Sequence, residues 1–151
     1  VSIGRHETPN KGATDIWLTP ISIVRSLGVF DLDPCAWPGH PTAKEQYFER
    51  GLEQEWAGRV WLNPPYSEVG KWLNRLADHG MGIALVFART DTKWFHQVCD
   101  KSDSVFFPAG RLTFLKSDFT IPSGNAGAPS VFLSFGEKPN WKAEMKGWVA
   151  K

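Results

Sequence analysis

The sequence predicts an α/β protein whose sheet is mostly parallel and ends in an antiparallel hairpin. Short apolar runs of strand length, at 29–33, 59–62, 83–88 and 104–107, alternate with segments of helical spacing. Residues 83–88 are apolar throughout, as expected of a central strand covered on both faces. Two further strand-like runs, 112–115 and 130–135, are joined by a polar stretch containing Gly and Pro, which suggests the hairpin. In sheets of this kind ligands bind beyond the carboxyl ends of the parallel strands.

Taken in order, residues 1–14 mix Gly, Pro, Asn, Lys and His without periodicity and read as a flexible arm. Residues 15–151 are expected to form a single domain, too short for a second full module. Thr19 supplies an N-cap and Pro20 a first helical residue. Ile21, Val24 and Leu27 give the apolar spacing, and Gly28 stops the helix. The strand at 29–33 puts Phe30 and Leu32 on one face and ends in Asp33-Pro34. Residues 35–58 are loop-rich, with a helix expected around 43–48. The strand at 59–62 delivers Asn63-Pro64-Pro65-Tyr66. Ser67 then caps a helix that buries Val69, Trp72, Leu73, Leu76 and Ala77 and ends at Gly80. Residues 92–99 read as another helix. From Pro139 a basic, aromatic tail carries Trp141, Lys142, Lys146, Trp148 and Lys151. Its plainer reading is a C-terminal helix that packs its tryptophans on the sheet, with nucleic-acid contact as the other.

A net charge of +1 gives no global basic field of the kind that marks a nucleic-acid coat protein, but leaves room for a local patch. Two cysteines, Cys35 and Cys99, make no disulfide framework. Nothing resembles a signal peptide or a membrane span, so a reducing cytoplasm and no membrane partner are expected. Eight tryptophans serve the core, base stacking or both.

The stretch Trp61-Leu62-Asn63-Pro64-Pro65-Tyr66 carries the chemistry. Two prolines fix φ, remove two backbone donors and push Asn63 towards extended geometry. The side-chain carbonyl of Asn63 and the carbonyl of Pro64 then converge as acceptors on one NH₂ group, with the Tyr66 ring beside them. An exocyclic amine on an aromatic base is a poor nucleophile because its lone pair is delocalised. Two fixed acceptors draw it towards tetrahedral geometry, where preorganised polar groups contribute most. With a cationic methyl sulfonium as electrophile, no strong general base is needed. Pro-Pro alone would be an ordinary turn; the whole string after a strand is more specific.

With Trp17-Leu18-Thr19-Pro20, Phe30-Asp31-Leu32-Asp33-Pro34-Cys35-Ala36 and Trp61 to Ser67 in this order, the chain resembles the phage-type DNA adenine-N6 methyltransferases. Glu55-Trp56, the run from Arg89 to Phe95, and Gly110-Arg111-Leu112-Thr113-Phe114 with Gly124-Asn125 extend the similarity over about 15–135. The resemblance implies a Rossmann-like class I methyltransferase fold, S-adenosylmethionine as methyl donor and an adenine flipped out of DNA as acceptor, in a bacterial cytoplasm reached by a phage or prophage. It implies that Asn63 and the Pro64 carbonyl bind the amine, Pro65 stiffens the loop and Tyr66 stacks on the base. Thr19, Pro20, Asp33, Pro34, Cys35 and Ala36 would hold the donor, its carboxylate at the helix start and its ammonium or a ribose hydroxyl on Asp33. Arg89, Lys93 and Arg111 are the DNA-binding candidates, with surface ion pairs to Asp91 or Asp118 as the plainer reading.

The chain departs from the family in having Arg50 where relatives tend to show an acidic residue before Gly51-Leu52, a place that Glu53 or Glu55 could take, with spacing not deciding between them. Without a separate target-recognition domain, sequence specificity falls to 37–55, to the loop 116–129 or to the second subunit of a homodimer. Three other readings remain. One is a zinc site from Cys35 with His40 and His96 with Cys99, but no pair has the tight C-x-x-C form and Cys99 fits a buried helix face, so no metal is expected. Another is a non-catalytic single-strand-binding module. The third is the same fold acting on cytosine, RNA or a protein amide.

Overall fold

The computed structural model describes residues 16–124 and 127–151, so the predicted arm at 1–14 lies outside it. In chain order the elements are α1 (Ile21–Ser26), β1 (Leu32–Asp33), β2 (Glu45–Gln46), β3 (Val60–Leu62), α2 (Val69–His79), β4 (Gly82–Phe87), α3 (Lys93–Lys101), β5 (Ser104–Pro108), β6 (Ser130–Phe135), α4 (Trp141–Glu144) and β7 (Gly147–Val149). All the strands join one seven-stranded sheet in the order β2-β1-β3-β4-β6-β5-β7. β1 pairs parallel with β2 and β3, and β3 with β4. β6 runs antiparallel to both β4 and β5, so β5 shares the direction of the first four, and β7 is antiparallel to β5.

Side-chain alternation divides the apolar residues between the two faces. Val60, Leu62, Ala84, Val86, Val131 and Leu133 point to the face covered by α2 and α3, where Trp72, Leu73, Leu76, Phe95 and Val98 pack. Trp61, Ile83, Leu85 and Phe132 point to the other, under Val24 of α1, Leu27 just after it and Trp141 of α4. The fold is therefore a mixed α/β sheet covered on both sides. Gly80, in the left-handed region, ends α2 as its sequence position predicts, its N–H bonding to the carbonyl of Leu76.

Several elements differ from the sequence expectation. No helix forms at 43–48: Glu45 and Gln46 are β2, because pairing with β1 satisfies a backbone that has no buried helical face to offer. The terminal hairpin is absent as well. Residues 112–115 contribute a single antiparallel bridge, Leu18 to Leu115, while β6 inserts between β4 and β5. Pro20, not Thr19, occupies the N-cap of α1, and Glu68 that of α2 after a turn of 3₁₀ helix at 66–68; neither Thr19 nor Ser67 makes a capping bond. The strand expected at 29–33 is reduced to Leu32 and Asp33. The C-terminal tail is a short helix followed by an edge strand: Trp141 is buried, but Trp148, on β7, is 65% exposed and stacks on Phe107.

One close approach ties the loop after β2 to the turn after β1. A Cβ on Gly51 would lie 1.8 Å from the carbonyl oxygen of Pro34 and 3.0 Å from Trp72, while the Trp56 indole donates to the Gly51 carbonyl at 2.8 Å. Gly51→Ala is therefore expected to lower stability by about 1–3 kcal/mol or more through overpacking. Denaturant unfolding checks this, and a wild-type midpoint would show that the Pro34 turn is not held there.

Candidate active site

Because β1 to β5 share a direction, their carboxyl ends fall on one edge of the sheet. Asp33 ends β1, Asn63 follows β3, and Phe87 with Arg89 closes β4. Two cavities open along this edge. One is lined by Thr19, Asp33, Cys35, Trp37, His40 and Trp61, the other by Leu85, Val86, Phe87 and Phe114; Trp17 and Asn63 belong to the walls of both. Their empty volumes are about 250 and 210 Å³, part of it open to solvent. Asn63 is thus a partition.

The orientation of its amide follows from its partners. Asn63 is 9% exposed, and its Nδ2 donates to the backbone carbonyl of Trp17 at 3.4 Å and to Thr19 Oγ1 at 3.3 Å. A carbonyl can only accept, so the atom facing Trp17 is the amide nitrogen and Oδ1 occupies the opposite branch. Pro64 and Pro65 behind it are buried, with Pro65 extended at φ −65° and ψ 145°.

Asp33 is 3% exposed. Its Oδ1 accepts from the N–H of Cys35 at 3.0 Å and its Oδ2 from the Thr42 hydroxyl. Burial outweighs these two bonds and pushes its carboxyl up to about 6. His40 is buried beside it and donates from Nε2 to the Thr19 carbonyl at 2.8 Å; burial holds its imidazole below the ordinary histidine range.

Aromatic rings gather on the other side of Asn63. Tyr66 lies 5.9 Å from Phe87 and 6.3 Å from Trp94, and Phe87 packs edge-on against Phe114 at 6.2 Å. Arg89 donates from Nε to the Tyr66 hydroxyl at 2.8 Å and holds its guanidinium 5.3 Å from the Tyr66 ring centre.

Of the predicted donor-binding residues, Thr19, Asp33 and Cys35 line one cavity, whereas Pro20, Pro34 and Ala36 are their chain neighbours and do not line it. Among the predicted DNA contacts, Arg89 joins the Tyr66 cluster; Lys93 is exposed at the start of α3 and Arg111 is exposed after β5. Arg50 pairs with Glu53 at 2.6 Å, and neither Glu53 nor Glu55 lines the Asp33 cavity. Sequence reasoning missed Thr42 and gave His40 only a metal role. Among the described residues no group of three or more His, Cys, Asp or Glu side chains is placed to hold a metal ion. The missing signal is the nine-residue gap from Asp33 to Thr42, which only the turn into β2 closes.

The edge loop is clipped in place. Leu18 and Leu115 exchange two backbone hydrogen bonds of 2.8 Å each, and the Trp37 indole donates to the Ser117 carbonyl at 3.2 Å. Residues 109–117 are thereby drawn over the Asn63 edge.

Together these features define a mixed α/β protein with a polar, aromatic-flanked site at the carboxyl ends of parallel strands, the usual place for a ligand in such sheets. The family model described as DNA N-6-adenine-methyltransferase (Dam) matches residues 6–146, and the chain belongs to that family. Membership implies methylation of DNA at N6 of adenine. Neither the curated proteins nor the solved structures contain a significant match to the chain.

The raised carboxyl of Asp33 has a stability consequence. Since the folded state binds this proton more tightly than the unfolded chain, whose value is near 3.8, stability falls as pH rises from about 4 to 6 and is then level. The charge costs up to about 3 kcal/mol above that window. Asp33→Asn keeps an acceptor for Cys35 and offers Thr42 a donor, so urea unfolding at pH 8 is expected to show a more stable variant. The gain should shrink towards pH 4. An equal or lower midpoint at pH 8 would mean that the buried charge is compensated.

Proposed function

We propose that the chain is a Rossmann-like class I methyltransferase that uses S-adenosylmethionine to methylate the N6 amine of an adenine flipped out of DNA. Membership in the Dam family supports the reaction. The observation that carries the division of labour is the position of Asn63 in the shared wall of two cavities, one bearing Asp33 and the other bounded by aromatic rings.

The residues present fit such a donor. Asp33 is an anion buried at a cost that a cationic ammonium offsets, and the small Cys35 and Ala36 allow close approach to the backbone. When bound, S-adenosylmethionine supplies an electrophilic methyl group on a sulfonium. Thr19, Asp33 and Cys35 bind it, with Pro20, Pro34 and Ala36 shaping the turns behind them. On the other side of the partition, Asn63 Oδ1 and the Pro64 carbonyl accept the two hydrogens of the target amine and draw its lone pair out of the ring. Pro65 keeps the loop stiff, and Tyr66 stacks on the base.

Taking the base out of the stack is required because a paired amine cannot be approached in line with the sulfonium. Arg89, Lys93 and Arg111 lie on or beside the edge that carries the site and are assigned to DNA contact. Residues 15–151 act as one methyltransferase domain. Within this domain, loops 37–55 and 116–129, or the second copy in a homodimer, are assigned to site selection.

Incubation with labelled S-adenosylmethionine and DNA of varied sequence, followed by nucleoside analysis, tests the reading: label is expected in N6-methyladenine. Label in another nucleoside, or none on any DNA, sinks it. Asn63→Ala should leave donor binding nearly intact while lowering the rate about 10²–10³-fold, because the lost contact acts chiefly in the transition state. Near wild-type methylation by that variant would remove Asn63 from the mechanism. For Tyr66→Ala, weaker DNA binding or base flipping is expected, with Tyr66→Phe milder because the ring is kept; 2-aminopurine fluorescence at the target position reads the difference.

A further inference from the structure

His40 is a buried titratable group at this site for which the mechanism above has no task. Its side chain lines the same cavity as Thr19, Asp33 and Asn63, and the residue is 6% exposed. Since the Thr19 carbonyl can only accept, the ring carries its hydrogen on Nε2, and the neutral imidazole leaves Nδ1 as an acceptor.

Two groups that hold the Asn63 amide nitrogen, the Trp17 carbonyl and Thr19 Oγ1, come from one short segment at 17–19. That segment is held at two points. Leu18 is bonded to Leu115, and Thr19, only 1% exposed, is bonded through its carbonyl to His40. His40 is itself anchored: its backbone carbonyl accepts from Gln46 Nε2 at 2.6 Å, Gln46 reaches Thr42 Oγ1 at 3.2 Å, and Thr42 holds Asp33. A single hydrogen-bond chain therefore runs from Asp33, through Thr42, Gln46, His40 and Thr19, to Asn63.

We infer that His40 is a positioning residue for methyl transfer, pinning the 17–19 segment so that the Asn63 amide presents its oxygen, and not its NH₂, to the acceptor amine. The inference rests on the proposed reading of Asn63 as the amine-binding group. An amide is nearly symmetric in shape, so packing alone selects its rotation poorly; turned over, it would set a donor against a donor. Loss of the pin acts on the rate through Asn63, and misplacement of a binding group by about 1 Å can cost about a hundredfold.

The test compares His40→Phe, His40→Gln, Thr19→Val and the double variant His40→Phe/Thr19→Val. Gln can place an amide N–H near the position of Nε2, whereas Phe cannot. His40→Phe is expected to lower kcat about 10- to 100-fold with KM for S-adenosylmethionine within about threefold, whereas Thr19→Val, which also removes a donor-binding hydroxyl, is expected to lower kcat to a similar extent and to raise that KM. His40→Gln should recover most of the loss, and the double variant should be no worse than the poorer single one, because both changes act on one group. Independently of activity, the Asn63 side-chain NH₂ resonances of ¹⁵N-labelled protein should move in His40→Phe and Thr19→Val and return in His40→Gln.

Unmoved resonances, equal loss in the Gln and Phe variants, or additive losses in the double variant overturn the inference. If His40→Phe does not fold by its melting curve, His40→Leu takes its place, since it too lacks an N–H for the Thr19 carbonyl: wild-type kcat with unmoved resonances refutes the inference. Wild-type protein that methylates no DNA refutes the functional reading instead, and the resonances then still decide whether His40 sets the Asn63 amide.

Discussion

The parallel pairing of β3 with β1 on one side and β4 on the other sets everything at the candidate site. Leu32 lies opposite Val60, and Val60 to Leu62 lie opposite Gly82 to Ala84, so the residues that follow these strands emerge together. Asp33, Asn63 and Phe87 become neighbours although they are far apart in the chain. The register is held by the apolar residues themselves. A shift of one position would turn Val60, Leu62, Ala84 and Val86 from the α2 and α3 side to the α1 and α4 side and leave Trp61 and Ile83 facing the wrong layer.

Across this apolar frame runs a chain of polar groups. Asp33 is buried with two hydrogen bonds and still holds its proton more tightly than an exposed carboxylate, which means that its ionised form is under-compensated. The chain from Asp33 to Asn63 crosses β1, β2, the loop between them, the segment before α1 and the end of β3.

The segment at 109–117 has a role that regular secondary structure would not allow. A strand at 112–115 would lie flat in the sheet. Instead one bridge to Leu18 and one indole bond from Trp37 hold it across the edge, where Phe114 walls the aromatic cavity. Arg89, reaching back to Tyr66, adds charge to the same rim.

Much of this was legible in the sequence. The apolar run of β4, the α2 face with Trp72, Leu73 and Leu76, the glycine at its end, and the Asp33-Pro34 and Asn63-Pro64-Pro65-Tyr66 strand ends are local patterns, set by side-chain period and by the fixed φ of proline. What was misread depends on partners distant in sequence. β2 exists because β1 offers it hydrogen bonds, and residues 112–115 are no strand because β6 takes the place beside β4. Thr19 is drawn from a cap to Asn63 and His40 once the strand ends have brought those side chains to it. The sequence by itself determined which residues are apolar, rigid or able to accept a hydrogen bond. Only the tertiary structure decided which of them meet, because a hydrogen bond such as that between His40 and Thr19 has no periodicity to announce it and forms only where packing removes water from both partners.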